Sequence, residues 1–143
     1  MRRRDALLAA GLLVLAAAAV AASPKGTTVT AKGALVWTDA AIPGVASAAV
    51  EGDMAKGSSH FYLRYAAGLV TPLHHHSPDH YVTTLAGALT LVVDGKEHRL
   101  APGSYFALLG KTAHTARCEG NEDCLMFVDA RGPWDVVPEA AKP

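Results

Sequence analysis

The reading of this chain turns on Gly68-Leu-Val-Thr-Pro-Leu-His74-His75-His76-Ser-Pro-Asp-His80, closed by Gly87 and answered downstream by His114. His74 and His76 are two residues apart, so on an extended strand both point to one face. His80 shares their parity, although Ser77 and Pro78 interrupt the run, and His75 has the opposite parity and faces outward. Neutral imidazole is the commonest side-chain metal ligand, and several rings converging on one face make a metal site. A His-rich surface loop is the competing reading of the same residues.

Working outward, the flanks read as short strands separated by turn signals every 8–12 residues, the pattern of an all-β sandwich or barrel. The expected strands are Val29–Trp37 interrupted at Gly33, Ala48–Glu51, His60–Tyr65, Tyr81–Leu85, Ala88–Val93, Lys96–Leu100, Tyr105–Leu108, Ala113–Cys118 and Leu125–Val128. Asp94-Gly95 is a hairpin signal. Residues 38–47 and 52–58 read as loops, and the tail from Pro138 as frayed. No segment after residue 23 sustains a helical period beyond two turns.

The first 22 residues read as a signal peptide and not as fold. Met1-Arg2-Arg3-Arg4 is a basic n-region, Ala6 to Val20 is an uncharged Ala/Leu run, and small residues follow for cleavage. That run is short for a membrane span, so cleavage with no membrane contact afterwards is the expected reading and a retained anchor the alternative. Arg3-Arg4 fits the general secretory or the twin-arginine route, and the destination is the periplasm or the exterior of a bacterium. The chain holds 13 Lys/Arg and 13 Asp/Glu, of which three Arg and one Asp fall in the leader, so residues 23–143 carry 10 against 12, a net of −2. That balance argues against nucleic acid as a partner. The remaining length suits one domain, with its core over about residues 29–137.

Cys118 and Cys124 flank Glu-Gly-Asn-Glu-Asp. In an oxidising compartment the expected pairing is a disulfide, worth about 2 kcal/mol for so short a loop. The alternative makes Cys118 a metal ligand, since it shares strand parity with His114. Tyr62, Arg64 and Tyr105 are candidates for a substrate pocket, with Arg64 as a bidentate clamp for a carboxylate. Plain packing is the competing reading for the aromatics, and an outward position is the commoner one for an arginine on a strand. Asp79 is a further candidate ligand, though of the wrong parity.

The spacing of Gly68, His74, His76, His80 and Gly87 resembles the first motif of the cupin superfamily, in which the position of His80 usually holds glutamate. Leu100-Ala-Pro-Gly103-Ser, followed by His114, resembles the second motif. The likeness covers residues 68–118. It departs from the family at Leu109 and Lys111, where Pro and Gly are typical, and at Cys118, where Asn is frequent. The resemblance implies a single-domain jelly-roll β-barrel with His74, His76, His80 and His114 holding one divalent transition metal ion (Fe, Mn, Ni, Cu or Zn). A homodimer paired through an edge strand and a small-molecule ligand are also implied.

Four neutral imidazoles leave a divalent ion its full formal charge, whereas a carboxylate would reduce it by one, so this set makes the stronger Lewis acid. On a six-coordinate ion two positions stay open; on tetrahedral zinc the shell closes. The functional readings are a metal-dependent dioxygenase or isomerase acting on a small oxygenated or anionic molecule, a non-catalytic binding or sensor module, and a purely structural metal site.

Overall fold

The computed structural model describes residues 26–140. The expected leader, residues 1–22, lies outside them. Strand follows strand: β1 (Thr38–Asp39), β2 (Val45–Gly52), β3 (Ser59–Tyr65), β4 (His74–His75), β5 (His80–Ala86), β6 (Ala88–Val93), β7 (Lys96–Leu100), β8 (Tyr105–Leu108), β9 (His114–Glu119), β10 (Cys124–Ala130) and β11 (Val137–Pro138). They form two antiparallel sheets, ordered β1-β2-β3-β10-β5-β8 and β11-β4-β9-β6-β7. Among the described residues no helix is long and apolar enough to cross a membrane.

Strict alternation sets which side chains enter the space between the sheets. In β3 Phe61, Leu63 and Tyr65 are buried, while His60, Tyr62 and Arg64 are not. In β10 Cys124, Met126, Val128 and Ala130 are buried, and in β9 His114, Ala116 and Cys118. Apart from His114, these side chains, with Val45, Val82 and Leu89, make one core fed by both sheets. Burying a side chain such as Phe61, which is fully enclosed, contributes about 2–3 kcal/mol. The core thus holds the two sheets face to face.

Local chemistry sets the joints. Asp94 and Gly95 both adopt positive φ, which a two-residue hairpin between Val93 and Lys96 requires. Gly87 also has positive φ, and a Cβ there would lie 2.8 Å from the Cα of Cys124 and 2.9 Å from its Sγ. Only glycine fits against the Cys118–Cys124 disulfide, which is present and ties the end of β9 to the start of β10. Cys118 is therefore not available as a metal ligand.

Three expectations fail. Residues 29–37 form no strand: a short 3-10 turn occupies Lys32–Ala34, and Val29 and Val36 stand exposed. Their apolar character draws them to no core because Lys32-Gly33 breaks the alternation. Residues 38–47 are not all loop, since β1 and the start of β2 pair through them. The tail is not frayed at Pro138, because Val137 and Pro138 pair with His75 and His74, and the Glu139 N–H donates to the Leu73 carbonyl at 3.0 Å.

Candidate metal centre

Three strands open on a buried histidine: His74 begins β4, His80 begins β5 and His114 begins β9. His74 and His114 face each other in register across β4 and β9. His76 follows β4 by one residue, so the turn of strand that buries His74 buries it too, and all four rings are at most 5 % exposed. One ring nitrogen each from His74, His76 and His114 lies within 4.8 Å of the others. The His80 ring stands beside this trio, 4.9 Å from His76 and 6.1 Å from His114 between centroids.

Hydrogen bonds decide which nitrogen each ring offers. Nδ1 of His74 bonds the Pro72 carbonyl at 2.8 Å. Nδ1 of His80 bonds the Pro78 carbonyl at 3.3 Å, and Nδ1 of His114 the Thr112 carbonyl at 2.9 Å. His76 bonds the Asp135 carbonyl through the same atom. A carbonyl only accepts, so Nδ1 carries the proton in each ring and Nε2 keeps its lone pair. This is the arrangement in which a histidine is held ready to bind a metal.

Burial lowers the pKa of all four rings, against the opposing pull of those carbonyl bonds, and neighbouring histidines lower them further. His76 is pushed down to about 3 and His114 to about 4. At neutral pH the cluster is therefore uncharged, with the Nε2 lone pairs unprotonated. The three grouped nitrogen donors of His74, His76 and His114 fit a divalent transition ion, and with Cys118 in a disulfide and Asp79 turned away, neither residue joins them; His80 lies outside the group. Asp79 is occupied elsewhere, accepting the Gly110 N–H at 2.7 Å.

The chain after β10 closes over the cluster. Trp134 stacks on His76 with centroids 3.9 Å apart and meets His80 edge-on at 5.1 Å; its other side packs against Phe61. The Asp135 carboxylate accepts the Ser77 N–H at 2.7 Å and the Ser77 hydroxyl at 2.5 Å. Burial pushes Asp135 up, but the two Ser77 bonds outweigh it and hold the carboxyl below its ordinary value. His75 points away from the trio, to the Glu139 carboxylate at 2.6 Å.

Two spaces adjoin the rings. Between the sheets, next to His76, His80 and His114, the void is only about 20 Å³, room for little more than one water-sized occupant. A second space, a cleft of about 350 Å³, runs beside His74 and His76, walled by Leu63, Tyr65 and Trp134 among others. Burial raises the Tyr65 pKa to about 12, so it is a neutral phenol.

The side chains expected to line a substrate pocket lie elsewhere. Tyr62 packs on Phe127 on the outer sheet face. The Arg64 guanidinium sits 4.6 Å over the Trp37 ring, and Tyr105 is 62 % exposed. The error is one of strand parity, and the sequence held the signal: Phe61, Leu63 and Tyr65 are the apolar set of β3, and Tyr65 belongs to it. Trp134 and Asp135 are the residues sequence reasoning missed, because neither strand period nor motif spacing reaches them.

A family model described as "Cupin domain" matches residues 61–129. Among solved structures, the polyketide cyclase RemF from Streptomyces resistomycificus is similar with a TM-score of 0.66 at 17% identity, covering 81% of this chain and 87% of that one. KdgF from Halomonas sp. gives 0.60 at 20% identity, with 71% and 92% covered. The DMSP lyase DddQ from Ruegeria pomeroyi DSS-3 gives 0.58 at 18% identity, with 70% and 57% covered. At these identities the likeness is one of fold. No curated protein matches the chain.

Proposed function

The chain belongs to the cupin superfamily, and on that premise we propose that it is an exported protein holding one divalent transition metal ion. His74, His76 and His114 hold it with His80 as the fourth donor, and the protein acts on a small molecule as a metal-dependent enzyme of oxygenase or isomerase type. The observation that carries this reading is the common bonding of the four imidazoles, each with Nδ1–H committed to a carbonyl and Nε2 free. A bound ion supplies Lewis acidity toward a substrate oxygen. The chain's own part is to keep the donors neutral, to exclude water with Trp134 and Phe61, and to offer the Tyr65 hydroxyl as a hydrogen-bond donor at the cleft. That inward phenol, sharing a wall with His74 and His76, favours a ligand-handling site over a purely structural one.

One preparation tests the metal and the export together. Protein recovered from the periplasm of an expressing bacterium should lack the mass of residues 1–22 and contain about one transition ion per chain, and His76→Ala should empty it. Full metal content in that variant refutes the ligand set; an intact leader refutes export.

A further inference from the structure

The cleft beside His74 and His76 has a chemical character that narrows its occupant. Its walls are mainly apolar: Ile42, Val45, Leu63, Trp134 and Val136 line it, with the Tyr65 ring. Neither lysine nor arginine is among its lining residues. Arg64, between two of them in sequence, turns to the opposite sheet face and rests on Trp37. The one charged group of the lining, the Asp135 carboxylate, is negative and already bonded twice by Ser77. A phosphate or carboxylate on the body of a ligand would therefore lose its hydration and gain no side-chain cation, which is strongly unfavourable.

Size is the second constraint. A cavity of about 150 Å³ accommodates benzene, so about 350 Å³ takes a body of roughly two fused rings. Besides Asp135, the polar side chains of the lining are Ser47, Tyr65, His74 and His76, and of these the two histidines belong to the grouped trio. We infer that the cleft binds an uncharged, apolar-bodied molecule of about two rings in size, carrying a single oxygen donor of phenol, enol or ketone type directed at the histidines. The oxygen end rests on the metal reading above; the apolar body does not. This replaces the anionic substrate that Arg64 would have clamped.

Calorimetry with 2-naphthol and glucose 6-phosphate, on nickel(II)-loaded and on chelator-treated protein, tests it, since nickel keeps positions open beside four imidazoles. Nickel-loaded protein should bind 2-naphthol at least about tenfold more tightly than the sugar phosphate, a difference of about 1.4 kcal/mol. Ile42→Trp and Ala41→Phe, which put bulk into the cleft without touching a histidine, should each weaken naphthol binding by about tenfold or more while nickel content stays unchanged. Equal or tighter binding of glucose 6-phosphate overturns the proposal, as does undiminished naphthol binding in both filled variants. If the protein takes up no nickel yet binds naphthol, and Ile42→Trp abolishes this, the apolar cleft stands and the metal reading falls.

Discussion

The four histidines are aimed in two different ways. His74, His80 and His114 each bond a carbonyl two residues earlier in their own chain, at Pro72, Pro78 and Thr112. His76 bonds the carbonyl of Asp135, 59 residues away. Three rings are thus oriented by their own turns and one by a segment from the far end of the domain. That segment lies beyond the residues 61–129 matched by the family model. The contrast separates what the matched region orients by itself from what the segment after it supplies. The motif supplies rings and local aim; the tail supplies the last bond, the Trp134 cover and a cleft wall.

The widest test of the contrast is acid. In metal-free protein the ring pKa values lie below the unfolded value of about 6.5, with His114 at about 4 and His76 at about 3. The unfolded chain therefore binds more protons between those limits, and stability is full above about pH 6.5 and falls as pH drops toward 4. Denaturant titrations of chelator-treated protein should show this loss, and NMR should find all four rings protonating below the ordinary imidazole value. A flat stability profile between about pH 7 and 4.5 would contradict the burial argument.

Next in size is the tail's bond. Asp135→Ala keeps the backbone carbonyl but frees it from the Ser77 anchor, and should weaken metal binding about 10–100-fold. Thr112→Ala leaves a carbonyl aimed by its own turn and should change affinity by no more than about threefold, on the same second-shell reasoning. Equal losses in competition titrations would erase the distinction between local and distant aim.

The smallest effect belongs to the turn between His76 and His114. Lys111 adopts φ +66°, a region costly to side chains with a Cβ, while its N–H donates to the His76 carbonyl at 2.8 Å. Lys111→Gly should relieve that strain and raise stability by up to about 1 kcal/mol, since added unfolded-state entropy offsets part of the gain. A lower Tm in the variant would argue that the lysine side chain contributes there instead.

Much of this was legible in the chain. Ala88–Val93, Lys96–Leu100 and Tyr105–Leu108 fall at their expected bounds, because each is an extended run closed by Asp94-Gly95 or by Pro102-Gly103. The His74/His76 parity and the partnership with His114 were readable because strand alternation is a local rule. Arg64 and Tyr62 were misplaced by one residue of register, although the apolar series of β3 marked the inward face. Even the local aim had a trace in the repeated Pro-x-His at 72–74 and 78–80. Asp135, Trp134 and β11 were not legible, because they act through contacts that span the domain and follow no period.

The Trp134 stack has an optical consequence. The chain has two tryptophans. Trp134 lies face to face with the His76 imidazole, while Trp37 sits under a guanidinium on the outer sheet face. One indole therefore shares its excited-state surroundings with the histidine cluster, and the other is removed from it. The protein carries its own probe and its own reference, so events at His76 should register in one component of its emission and leave the other dark to them.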